Sequence, residues 1–263
     1  MPRPRRALDI FLRVGGTAAV LASAISTPPV LAQHQHHAIP AEAQGGEGGE
    51  GGEAGASPAV QSDRDALVVL AQMQGHLLVA QELLEQQNIS AAEPHVGHPV
   101  DELYGALAPA LQRHGIAPFL PSLEALRQQV RLNPGTPQSL QRLATAQQAI
   151  AETARSINGG IAMPAPLVMS VVRELGKAAS EEYAAAIAGD QVVEVIEYQD
   201  ARGFLLEAQR LLAAAAPSTP ADTAALTARQ RTVAAMHKAF PAVMPPQKAV
   251  LSVAELQELQ QQL

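Results

Sequence analysis

Residues 62–87, SDRDALVVLAQMQGHLLVAQELLEQQ, decide the fold class. Ser62 and Asp65 have the spacing of a capping box, and Leu67, Leu70, Leu77, Leu78 and Leu84 follow at intervals that keep returning to one helical face. The stretch predicts a helix over 63–87. Its one local weakness is Gly75, which costs about 1 kcal/mol of helix propensity relative to alanine. A glycine beside His76 points to close backbone approach, to room for an ion, or to tight helix packing.

Downstream, the same reasoning places a second helix after Pro99, with Asp101 and Glu102 in its first turn and Leu103, Leu107 and Leu111 at four-residue spacing. Gly115 and Pro118 end it. Leu123, Leu126 and Val130 make a third helix, stopped by Asn133-Pro134-Gly135. Leu140, Leu143, Ala146 and Ile150 carry a fourth over 137–157, and Asn158-Gly159-Gly160 stops that one. Pro164 and Pro166 open a fifth, with Val168, Val171, Val172, Leu175 and Ala179, closed by Gly189-Asp190. A sixth begins near Glu194, and helices near 219–239 and 252–262 complete the pattern. No run reads as strand. The expectation is an all-α, antiparallel helical bundle of six to eight helices over 62–263.

Composition agrees. Hydrophobic residues make up 47% of the chain but aromatic ones only 3%, so the core has to be built from Ala, Leu, Val and Ile, which suits helix packing better than sheets.

Two segments precede the bundle. Arg3, Arg5 and Arg6 stand before an apolar run from Val14 to Ile25, and Val30-Leu31-Ala32 offers small side chains for cleavage, so residues 1–32 read as a secretory signal peptide. The Arg5-Arg6 pair leaves both the general and the twin-arginine export routes open. Residues 33–61 hold His34, His36, His37 and the tract from Gly45 to Glu53, without the apolar side chains needed to offset the entropy of ordering, and read as a disordered tail that could chelate metal weakly. The expected location is periplasmic or secreted. No cysteine occurs, which excludes disulfides, thiolate metal sites and a cysteine-anchored lipoprotein. Without residues 1–32 the chain keeps 14 basic and 24 acidic residues, a charge that repels nucleic acid.

The chemistry concentrates at His76 and in Glu93-Pro94-His95-Val96-Gly97-His98-Pro99-Val100-Asp101-Glu102, where imidazoles and carboxylates gather in a weakly charged chain. Such side chains suit transition metals, and His95 and His98 can share an ion if the backbone turns between them; the alternative is a polar interhelix turn. Glu197, Asp200 and Phe204 share a face of the sixth helix, either as a solvated face or as a second source of ligands.

Glu181-Glu182-Tyr183, the Gly189-Asp190 turn, Glu197-Tyr198-Gln199-Asp200 and Phe204 together resemble the extracytoplasmic helical domain joined to bacterial high-affinity iron permeases. More loosely, Gly75-His76 and His95-x-x-His98-Pro99 resemble imelysin-like periplasmic bundles associated with iron uptake. The resemblance implies metal capture or delivery beside a membrane transporter. It implies Glu181, Glu182, Glu197 and Asp200 as acidic ligands and His76, His95 and His98 as nitrogen ligands; Glu102 is a further candidate from its place near His95 and His98 at the start of the second helix. The ion would be iron or copper, with zinc behind them, because mixed imidazole and carboxylate sets accept all three. A non-metal, partner-binding scaffold is the alternative. Enzymatic activity is the weakest reading: no nucleophile elbow, His-Glu-x-x-His or phosphate loop occurs.

Overall fold

The structure, a computed structural model, describes residues 60–263. The signal peptide expected over 1–32 and nearly all of the tail expected over 33–61 lie outside the described residues.

Helix α1 (Asp63–Glu85) starts as its sequence requires: Ser62 Oγ accepts from the Asp65 amide at 3.2 Å, and Asp65 Oδ2 accepts from the Ser62 amide at 3.0 Å. It is buried along most of its length and packs against several of the helices that follow it in the chain. Among the described residues it is the one helix long and apolar enough to cross a membrane, yet 78% of that window is buried inside the protein.

The next segment departs from expectation. Residues 89–98 are not a turn but helix α2 (Ile89–His98), which passes through a π-helical turn (Pro99–Leu103) into α3 (Tyr104–His114). Pro94, Gly97 and Pro99 all disfavour a helix locally. Packing of Ala92, His95 and Val96 into the core overrides them, and the wider turn absorbs the hydrogen bond that Pro99 cannot donate. His95 and His98 therefore reach the same face by three-residue helical spacing, without a chain reversal between them.

Helices α4 (Leu120–Leu132) and α5 (Pro137–Ile157) follow the predicted periodicity, with Leu123, Leu126, Val130, Leu143, Ala146 and Ile150 buried. Helix α6 (Ala165–Ala186) leads through a hairpin of two short strands, β1 (Ile187–Ala188) and β2 (Gln191–Val192), into α7 (Val195–Ala214). Ile187 pairs with Val192 and Ala188 with Gln191, and Gly189 takes the positive φ of 65° that the tight turn needs. Two-residue strands are too short to show alternation, which is why the sequence does not announce them. Helices α8 (Pro220–His237) and α9 (Val253–Gln260) open on further capping boxes, Thr219 with Asp222 and Ser252 with Glu255.

The contact that positions the site lies between α1 and α7. A Cβ added at Gly203 would fall 2.5 Å from the Gly75 carbonyl oxygen, and one at Gly75 would fall 2.8 Å from Phe204 Cδ1. Two glycines facing each other let the helices approach backbone to backbone. Beside this contact Arg202 grips Glu82 with both Nη atoms, the longer bond measuring 3.2 Å.

Candidate metal centre

The four side chains of the centre arrive on three helices of this frame. His76 follows Gly75 on α1, His95 and His98 stand on α2, and Asp200 precedes Gly203 by three residues on α7. One ligand atom from each of the four lies within 4.8 Å of those of the others. Asp200 is the hub: its Oδ1 is 2.6 Å from His76 Nδ1 and 2.8 Å from His95 Nδ1, and its Oδ2 is 3.3 Å from His98 Nδ1.

His76, His95 and Asp200 are buried, whereas the His98 side chain keeps 19% of its surface exposed. Phe204 packs edge-on against His76, with ring centroids 5.1 Å apart. Beyond His98 lies a cavity of about 260 Å³ walled by Glu93, Gly97, Asp101, Glu102, Arg127 and Ile196.

Burial works against a charged Asp200, but the charges and hydrogen bonds of His76 and His95 outweigh it and hold the carboxyl well below the usual carboxylate range. Burial also pulls His76 below the ordinary imidazole value, more strongly than Asp200 pulls it up. The two directions meet in one state near neutrality: an ionised Asp200 accepting a hydrogen bond from the Nδ1–H of a neutral His76.

The set fits a transition-metal ion. Three imidazoles and a carboxylate are suitable donors, and a sphere of radius about 2 Å places neighbouring ligand atoms ~3 Å and opposite ones ~4 Å apart, so small side-chain adjustments would suffice. The ion would bind deprotonated nitrogens, so its uptake competes with protons.

The other residues singled out in the sequence fall into two groups. Glu102 sits at the rim, its Oε1 3.9 Å from His98 Nε2, and Glu197 lies one turn before Asp200. Burial pushes the Glu197 carboxyl up, and the charges of Asp200 and Glu194 push the same way. Glu181 and Glu182 are not brought into the group of four. Glu181 is on the surface of α6, with its Oε1 3.7 Å from Lys177 Nζ. The tyrosines beside these acids are structural: Tyr183 donates to the Leu251 carbonyl at 2.6 Å and Tyr198 to the Ala242 carbonyl at 3.1 Å, and both rings pack on Phe240.

One participant was not singled out. Gln199, fully buried, places its Oε1 2.8 Å from His95 Nε2. The only sequence signal for it is its place beside Asp200.

The fold and the site define a helical bundle with a buried histidine and carboxylate centre. Residues 165–263 match a family model described as an iron permease-associated 4-helix bundle domain. The match begins at the first residue of α6 and takes in α6, α7, α8 and α9. Neither the curated proteins nor the solved structures contain a match.

Proposed function

We propose that this chain is an exported, periplasmic metal-handling protein of iron uptake, which binds its ion through His76, His95, His98 and Asp200 and passes it to a membrane transporter. In this reading residues 1–32 direct export, residues 33–61 form a tail, and 62–263 are the binding domain. The observation that carries it is the convergence, in the core, of three imidazoles and a carboxylate from three separate helices. Burying ionisable groups costs free energy unless something compensates them, and an ion held among the four would add to what their mutual hydrogen bonds supply. Iron is favoured as the cargo by the family match, since the donor set alone would also accept copper or zinc. His98, the most exposed of the four, faces the cavity through which an ion would arrive, with Glu102 at its rim. Glu197 adds negative charge from α7.

The test is elemental analysis of the protein exported by its native host, beside a variant lacking residues 33–61. Stoichiometric metal in both, lost in His76→Ala, His95→Ala and His98→Ala, is the expected result. Metal in neither, after titration with iron, copper and zinc, transfers the assignment to a partner-binding scaffold. Bound metal should also leave as pH falls to about 5, below the ordinary histidine pKa, and retention there would count against imidazole ligation.

A further inference from the structure

Gln199 bridges His95 to the segment that follows α8. Its Nε2 lies 3.2 Å from the carbonyl oxygen of Val243 and 3.6 Å from Met244 Sδ. A backbone carbonyl accepts hydrogen bonds and cannot donate them. The amide must therefore present its NH₂ group to Val243, and the opposite orientation would set two oxygens against each other. This leaves Oε1 facing His95 Nε2 at 2.8 Å, and an amide oxygen also only accepts. His95 must therefore carry a hydrogen on Nε2.

The consequence falls on the other ring nitrogen. His95 Nδ1 stands 2.8 Å from Asp200 Oδ1, a carboxylate oxygen that donates nothing while ionised. A lone pair facing a carboxylate at that distance needs a positive species between or beside them, either a proton or a metal ion.

We propose that Gln199, held by the Val243 carbonyl, is a positioning residue that reserves His95 Nδ1 for the ion by keeping the hydrogen on Nε2. The inference rests on the metal-handling reading. It gives the centre a defined ligand atom and ties it to the backbone at 243, outside the helices that carry the ligands. Hydrogen bonds to the far nitrogen of a ligating histidine fix its tautomer and ring plane, and losing one typically weakens metal affinity 10–100-fold.

The experiment uses ¹⁵N-histidine-labelled full chain without its leader, zinc as a diamagnetic probe, and the variants Gln199→Leu and Gln199→Glu. In zinc-loaded wild type, the His95 Nε2–H signal should persist while the Nδ1 signal shifts on binding. Gln199→Leu should bind zinc ~10–100-fold more weakly. Gln199→Glu keeps an acceptor against Nε2–H but sets its second oxygen against the Val243 carbonyl, so it should retain the Nε2–H signal and bind zinc more tightly than Gln199→Leu while staying below wild type, an order that loss of packing alone does not explain. If Gln199→Leu does not fold, the wild-type spectrum and Gln199→Glu still decide. Zinc coordination through His95 Nε2, or full affinity with an unchanged tautomer in Gln199→Leu, overturns the role of Gln199 and leaves the metal reading standing. Failure of the wild type to take up zinc, iron or copper overturns the metal reading, and the role of Gln199 with it.

Discussion

The two parts of the bundle contribute unequally to the centre. Residues 165–263, which match the iron permease-associated family, supply Asp200 and its neighbour Gln199. Residues 60–164, outside that match, supply all three histidines. The matched part is held by aromatic and main-chain contacts, with Tyr183 and Tyr198 packed around Phe240 and bonded to the carbonyls at 251 and 242. The other part meets it through glycine, at Gly75 against Gly203. A family resemblance in one part therefore does not by itself deliver a site: the carboxylate meets its three imidazoles only in company that another part of the chain provides.

Removing the shared member should have the largest effect. Asp200→Asn leaves His76 and His95 facing an amide in the core, and should abolish stoichiometric metal binding. Breaking a buried pair in this way costs ~3–5 kcal/mol, readable as a shift in the denaturant midpoint of the metal-free protein. Unaltered metal content would mean that the histidines need nothing from the matched part.

Gly203→Ala attacks the joint between the two parts. The new Cβ would meet backbone atoms of Gly75, which cannot swing aside, so α1 and α7 must separate. Overpacking of this kind costs ~1–3 kcal/mol, and the separation should weaken metal binding because His76 and Asp200 flank the contact. Wild-type stability with reduced metal affinity would show that the glycines serve the site alone.

Acidification tests the electrostatic side. The folded-state values of His76 and Asp200 both lie below their ordinary ones, so the unfolded chain binds more protons than the folded chain and stability falls as pH falls. For His76 the loss begins near the ordinary imidazole value of 6.5, and for Asp200 it begins near 3.8. A melting series on metal-free protein should show the first decline in wild type and a smaller one in His76→Phe. A flat profile between pH 7 and the acid limb would contradict a buried, neutral His76.

The smallest effect is expected from the acid of α6 that faces solvent. Glu181→Gln removes a surface partner of Lys177 and should change stability by less than about 0.5 kcal/mol, with metal content unaffected. Loss of metal in that variant would mean that the matched part holds a second set of ligands.

Much of this fold is legible residue by residue. The cap at Ser62, the leucine series of α1 and the 137–157 helix follow from local rules of hydrogen bonding and 3.6-residue periodicity, and they stand where those rules put them. Helix α2 is not legible in this way, because its prolines and glycine argue against the helix that packing then enforces. The histidines and Asp200 are visible in the sequence as residue types that bind metal. Glu181 and Glu182 are equally visible, and nothing local separates them from Asp200.

By itself, then, the sequence determined the helical class, most helix limits and the pool of possible ligands, because each depends on interactions within a few residues. Only the tertiary structure decided which members of that pool meet, since His76 and Asp200 lie 124 positions apart and no local pattern spans that distance. What joins them is the absence of two side chains, at Gly75 and Gly203, and a missing Cβ acts only when the opposite helix is in place to use the space.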